Sequence, residues 1–572
     1  MTARARPTTA RLRHTRGTPA APEHAPAHAP EPLHPVGGSV HMGASLRALR
    51  ALVLLAGFYL LGFILLGVLA AADWATVTRL HGGIAFKILI VSVVLAVPIV
   101  RGMFMLRTPK GAPKPGVPVT EQQEPVLWQT VRDIAAQVGT RAPDEILLID
   151  EVNAAVSEDA RLLGLKSGTR RLYLGLPLMT GLDEMQLRAV LAHEMGHYAN
   201  LDTRLTPLIA RGRAQLIRTI GHFHDRADTK VAKERARQEK AAEKRVAKGK
   251  EAKEVDTTGQ GAMYRAMAKI YTAYARFYMR ATLSGSRRQE LAADLASVRV
   301  AGRDSAASAL RELNAIGPAH DFYMDSYATL GVGAGLLPPS GQVFGGLRQL
   351  LDARSDELDG LRRELSTEPT SPYDSHPALA ERVARIEALP DDGRGAQPAR
   401  PALELLASPQ AALAALEQAV LTPEALALTR VDWADLVHES MTRYVGQGAQ
   451  EIREAVAAEG TAPELAALLD AVDADPALRW RIADRFPKSE EAAAATGRAA
   501  REFTRPVLRR ALKQLVTAEL TARGAARWQL SWSDSAALQY AADGFEEQLE
   551  LALDALVADL PGTEPLRKLV LV

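Results

Sequence analysis

The chain has 572 residues, no cysteine, 69 Lys+Arg against 67 Asp+Glu, and a mean hydropathy of −0.07. The missing thiol excludes a disulfide scaffold, a Cys-ligated zinc finger, an iron–sulfur site and a thiol nucleophile, and the balanced charge counts against a nucleic-acid binder. The length suits roughly three or four domains of ~150 residues, and the hydropathy excludes a membrane protein throughout while leaving room for one or two spans.

Residues 1–43 are rich in Arg, Pro, Ala and His and show no hydrophobic period. Such a tail buries too little apolar surface to offset chain entropy and is expected to be disordered. Met42, at its end, is an alternative start. Ala51 to Ala72 then runs for 22 residues without a charge, and a bilayer-spanning helix needs about 20. The run exceeds the apolar core of a signal peptide, about 7–15 residues, so an uncleaved anchor is expected. A second apolar run goes from Ile84 to Val100, with Lys87 near its start, Pro98 near its end and Arg101 just beyond. Between the runs, Asp73 to Gly83 carries only Arg79, whereas the outer flanks hold Arg47, Arg50, Arg101, Arg107, Lys110 and Lys114. Lys- and Arg-rich flanks stay in the cytoplasm. The expectation is a transmembrane hairpin over 44–107 in the cell membrane, with everything after Pro109 in the cytoplasm.

Residues 108–119 read as a Pro/Gly linker, and a catalytic domain is expected over 120–390. Glu121–Gly139 reads as an amphipathic helix, and Glu145–Ile149 and Arg170–Leu174 as strands. Arg170–Leu174 is the expected edge strand, where a peptide can add as a further strand. From Asp183 to Asn200, Met185, Leu187, Val190, Leu191 and Met195 recur at helical spacing behind a capping Asp183. This helix holds His193-Glu194-Met195-Gly196-His197, an H-E-x-x-H motif. Residues four apart share a helix face, so the two imidazoles can bind one Zn²⁺ while Glu194 reaches a zinc-held water as general base. The blander reading is two histidines on a helix with no metal.

A metzincin would need Gly at position 200 and His at 203, where this chain has Asn200 and Thr203. A third ligand therefore comes from elsewhere. Asp202 is close in sequence. A second helical segment, Ser286 to Asp294 (SRRQELAAD), offers Glu290 with Asp294 one turn later, against a plain reading as two acids on a solvated face.

HEMGH followed by SRRQELAAD resembles the membrane zinc endopeptidases that include HtpX and the CAAX prenyl proteases, the gluzincins of metallopeptidase family forty-eight. Smaller matches agree: Asn153-Ala154 after the first strand, Asp202 five residues past His197, then Ser375-His376-Pro377, Glu381-Arg382 and Leu389. The resemblance implies an α+β zincin-like fold and one zinc per chain held by His193, His197 and Glu290. It implies Glu194 as catalytic base, Asp294 orienting a zinc-ligating histidine, His193, and His376 as either an oxyanion stabiliser or a packing residue. It implies peptide or protein substrates and, with cytoplasmic access, a role in membrane protein quality control. The chain departs from the family between the two motifs, where HtpX-like members carry further spans. Here a charged insert covers 225–260, and Met263–Leu283 reads as an amphipathic helix interrupted by Lys269, Arg276 and Arg280. This counts against the deep intramembrane chamber of the CAAX enzymes.

Other signals carry less. Gly331–Gly335 lacks phosphate-loop spacing and reads as a flexible loop. His438-Glu439 has Thr442 where a second His would stand, and His222 and His224 read as structural. Residues 391–572 are Ala/Leu-rich and read as an all-α accessory domain, with Val507, Leu508, Ala511, Leu512, Leu515 and Leu520 on one face of a helix that follows Pro506. The expected protein is a mostly helical α+β metalloendopeptidase, with a catalytically silent membrane scaffold acting through its C-terminal half as the rival. Intact Glu194 argues against that rival.

Overall fold

A computed structural model describes residues 40–79, 83–104, 116–158, 168–199, 206–248, 255–367, 377–394 and 400–570. Nearly all of the expected disordered tail and most of the linker lie outside these residues, as do Asp202, Ser375 and His376.

Helix α1 (Val40–Arg79) begins inside the expected tail and continues through the expected break at Asp73. No Gly or Pro interrupts residues 73–79, so nothing there stops a helix. Within it, Ala56–Arg79 is long and apolar enough to cross a membrane. Helix α2 (Gly83–Phe104) has a shorter apolar stretch, Ile88–Val97. A two-span hairpin is thus supported for one helix only.

A four-stranded sheet follows: β1 (Val117–Val119), β2 (Glu145–Ile149), β3 (Ala154–Glu158) and β4 (Arg170–Gly175), in the order β1-β2-β4-β3. β2 and β4 are parallel, and the outer pairs are antiparallel. The sequence expectation of β4 as an edge is therefore wrong. Leu172 and Leu174 are fully buried, and β3 closes the sheet outside them. Helix α3 (Pro125–Val138) lays Leu127, Val131, Ile134 and Val138 on the core. Pro125 opens it without losing a needed donor, and Gly139 ends it in the left-handed region at φ 80°.

Short α4 (Leu176–Gly181) leads to α5 (Glu184–Ala199). Asp183 caps α5 as expected: its Oδ1 accepts from the Gln186 N–H at 2.7 Å, and Gln186 Oε1 accepts from the Asp183 N–H at 2.9 Å. Next come α6 (Thr206–Val246) and α7 (Ala262–Ala301), two long helices packed side by side. The amphipathic segment from Met263 and the Glu290 segment are parts of one helix. Leu54, Phe58, Ile99 and Met103 of α1 and α2 join Leu216, Phe223, Tyr271 and Tyr278 of α6 and α7 in one apolar cluster. The opposite face of α1 exposes Leu60, Phe63, Ile64 and Val68.

Helix α8 (Arg303–Tyr323) runs into a π turn, Met324–Ala328. The Gly331–Gly335 run forms a tight turn into β5 (Leu336–Leu337). Helices α9 (Gln342–Gly345), α10 (Leu347–Ala353), α11 (Ser355–Arg363) and α12 (Leu379–Glu387) complete this part. Then follow α13 (Pro409–Val420), α14 (Pro423–Leu426), β6 (Thr429–Arg430), α15 (Trp433–Ala457), α16 (Leu465–Ala474), α17 (Leu478–Asp484), α18 (Glu490–Ala494) and α19 (Gly497–Ala522). The chain closes with β7 (Ala526–Gln529), β8 (Ala537–Tyr540), α20 (Phe545–Val557) and α21 (Glu564–Val570).

The C-terminal region is not all-α, because β7 and β8 form an antiparallel hairpin. Helix α19 starts at Gly497 and passes through Pro506; burial of Leu508, Leu512 and Leu515 on one face outweighs the one backbone bond that proline removes. The hairpin loop carries Trp532, which stacks on Tyr327 at 4.9 Å and meets Trp433 edge-on at 5.1 Å. Arg354 Nε donates to the Trp532 carbonyl at 2.9 Å. Ala402, Leu405, Leu413 and Leu416 share one apolar core with the sheet and α5.

Candidate metal centre

His193 and His197 lie one turn apart on α5, and α7 crosses that face with Glu290. His193 Nε2 is 3.3 Å from His197 Nε2 and 3.4 Å from Glu290 Oε2, and His197 Nε2 is 3.7 Å from Glu290 Oε1. Zinc–ligand bonds of about 2.0–2.1 Å in a tetrahedron separate neighbouring ligand atoms by about 3.3 Å. The three side chains already stand near that spacing and fit a zinc ion. Two imidazole nitrogens 3.3 Å apart share either a proton or a metal ion between them. Among the described residues, these three form the group of His and acidic side chains whose ligand atoms all lie within 4.8 Å.

The partners behind the ligands fix their orientation. His193 Nδ1 donates to Asp294 Oδ1 at 3.0 Å, which leaves Nε2 free to face Glu290 and His197. Arg382, on α12, holds both oxygens of Asp294, with Nε at 3.0 Å from Oδ2 and Nη2 at 2.5 Å from Oδ1. Burial pushes the Asp294 carboxyl up, but the bonds from His193 and Arg382 outweigh it and hold its pKa below the usual carboxylate value. Burial likewise opposes charge on His193, yet Asp294 and Glu290 push its pKa up to about 9. Glu194 lies within electrostatic reach of His193, Arg382 and Tyr198.

Residues 121–389 match peptidase family M48, whose members are zinc metallopeptidases. This region resembles the M48 metallopeptidases. No curated protein and no solved structure matches the chain.

Helices α5 and α7 come together at Gly196, inside the motif itself. A Cβ there would stand 3.1 Å from both Ala293 Cα and Ala296 Cβ. The missing side chain lets Glu290, one turn before Asp294, reach the histidine pair. Ser297 Oγ adds a 2.7 Å bond to the Ala189 carbonyl across the same crossing.

Of the residues singled out in the sequence, the fold brings together His193, Glu194, His197, Glu290 and Asp294. Asp202 and His376 lie outside the described residues. His222 packs against Phe223 on α6, and His438 Nδ1 accepts from the Trp528 N–H at 3.3 Å, in the C-terminal half. In the sequence, Arg382 stands within a matching segment with no role attached, and nothing local marks Tyr198. Arg382 acts across 88 residues of chain, which no local spacing reveals. Tyr198 follows the motif directly, and its hydroxyl donates to the Val156 carbonyl of β3 at 2.6 Å.

Proposed function

We propose that the chain is a membrane-anchored zinc metalloendopeptidase that hydrolyses peptide bonds of protein substrates. The observation that carries this reading is the convergence of His193, His197 and Glu290 beside Glu194. His193, His197 and Glu290 would hold one Zn²⁺, and Asp294, itself clamped by Arg382, sets the tautomer and angle of His193. Zinc, when bound, supplies a Lewis acid that brings the pKa of a coordinated water to about 7 and polarises a carbonyl. Glu194 accepts a proton on its carboxylate from the attacking water and delivers it to the amine that leaves the scissile bond. The substrate main chain runs along the outer edge of β3, one of the two edges of the sheet among the described residues and the one that α5 packs beside.

Anchoring rests on α1, whose apolar face is exposed along Leu60–Val68. Arg79 is the one Lys or Arg between the two apolar runs, whereas both outer flanks are basic. That bias supports two spans and a cytoplasmic catalytic domain, which then meets cytoplasmic proteins and the cytoplasmic ends of membrane proteins. Membrane protein quality control fits that access.

The test compares wild type with Glu194→Gln. Both should carry about one zinc per chain, and only the wild type should cleave an unfolded protein and alter the membrane proteome. Full zinc in a His193→Ala/His197→Ala double mutant overturns the metal site. Wild type with full zinc and no cleavage favours the scaffold reading.

A further inference from the structure

The sheet ends on β3, and strand parity decides what its outer edge offers. The Gly175 N–H donates to the Asn153 carbonyl at 2.8 Å, which makes that pair a hydrogen-bonded one. The register then alternates through Ala154↔Leu174, Ala155↔Tyr173, Val156↔Leu172 and Ser157↔Arg171. On the far side of β4, the Arg170 carbonyl accepts from the Asp144 N–H at 2.7 Å, so Arg170, Leu172 and Leu174 turn their backbone groups toward β2. Ala155 and Ser157 therefore point theirs at β4, and Ala154, Val156 and Glu158 point theirs outward. Among the described residues, no strand pairs with that outer edge.

One outward group is already taken. The Tyr198 hydroxyl donates to the Val156 carbonyl at 2.6 Å. Tyr198 is the residue after His197, so this bond sits directly beside the metal ligands. The Arg170 guanidinium lies 4.8 Å over the tyrosine ring. Arg170 is pinned in turn by Glu158 at 2.9 Å, Thr140 at 3.0 Å and the Arg141 carbonyl at 2.5 Å. The phenol is thus held against β3 by a fixed cation.

We propose that Tyr198 is a positioning residue of the peptide-binding edge: its hydroxyl caps the Val156 carbonyl in the free protein and gives way to a main-chain N–H of an extended substrate. The inference rests on the peptidase reading. An open edge carbonyl invites unwanted strand pairing, and a hydroxyl covers it reversibly. The exchange replaces one hydrogen bond by another, so the cap weakens binding by the net worth of one such bond, roughly two- to ten-fold. It also defines the substrate class. The bound segment must be extended, and the residue opposite Val156 must carry an N–H, which excludes proline there.

The test uses the full chain, zinc-loaded in detergent, in two arms. In the binding arm, a fluorescent unfolded peptide is titrated into Glu194→Gln with and without Tyr198→Phe. Loss of the hydroxyl should tighten binding two- to ten-fold with zinc content unchanged. In the turnover arm, Tyr198→Phe should lower KM by the same factor and leave kcat within two-fold. A series of peptides, each N-methylated at one amide, should lose binding in both backgrounds at the amide opposite Val156 and at no directly adjacent one, because neighbouring amides of a strand point to opposite sides. Unchanged or weaker binding in Tyr198→Phe overturns the proposal, as does a fall in kcat at constant KM or a methylation series with no sensitive position. Tighter binding without cleavage by the wild type supports the Tyr198 cap and overturns the peptidase reading alone.

Discussion

Arg382 grips both carboxylate oxygens of Asp294, at 3.0 and 2.5 Å, and Asp294 holds Nδ1 of His193 at 3.0 Å. The relay joins α12, α7 and α5, so the orientation of one candidate ligand depends on a residue 189 positions away. Both charged side chains are almost wholly buried.

Breaking this pair from one side strands a buried charge. Arg382→Gln should destabilise the protein by about 3–5 kcal/mol, read by chemical denaturation. Asp294→Asn combined with Arg382→Gln should cost less than the sum of the two, because neither partner is then left charged and alone. Asp294→Ala should weaken zinc binding about 10–100-fold, read by competition with a chelator. Additive losses would show that the two residues act separately.

The pH dependence of zinc binding follows from His193. Its pKa is raised to about 9, whereas a metal ligand must be deprotonated. Below about 9, zinc must displace a proton from His193, and above it the nitrogen is already free. Affinity of chelator-stripped protein should therefore rise roughly tenfold per pH unit from about 7 toward 9 and then level. A flat affinity over that range, after correction for the competing chelator, would refute the assignment.

Gly196 sets two effects against each other. Gly196→Ala gains about 1 kcal/mol of helix propensity but puts a Cβ 3.1 Å from α7, so the net stability change should be small. Zinc affinity should still fall, because Glu290 moves with α7. Gly196→Val adds more bulk and should cost about 1–3 kcal/mol together with most zinc binding. Melting curves and zinc titrations of the two variants check this; wild-type zinc affinity in Gly196→Val would remove the role given to the crossing.

Orientation can be read with single thiols, since the chain has no cysteine of its own. Ala75 near the end of α1 and Ala462 in the C-terminal half are both exposed. In intact cells, an impermeant maleimide should label Ala75→Cys and reach Ala462→Cys only after the membrane is opened. Immediate labelling of Ala462→Cys would reverse the topology.

The motif helix was legible because its signals are local: apolar spacing, a capping Asp183 and two histidines four apart. Glu290 stood out only as one of two acids a turn apart, Glu290 and Asp294, which read equally as a solvated face, and the family resemblance was needed to make it a ligand. The misassigned edge has a compositional cause. β3 reads Ala-Ala-Val-Ser-Glu, with little β-branched or aromatic content, and without it β4 becomes the outermost strand. β7 and β8 were hidden by their length, four residues each, inside a run of helices.

The family match ends at residue 389, but the apolar core does not. Leu405 and Leu416 are fully buried in the same cluster as Leu148, Leu172 and Met195, and Trp532 packs on Tyr327 from far beyond that boundary. A gene fragment trimmed to the recognisable domain would therefore yield a protein missing part of its own interior. Such a fragment should be soluble only with difficulty, and its inactivity would say nothing about the catalytic residues it retains.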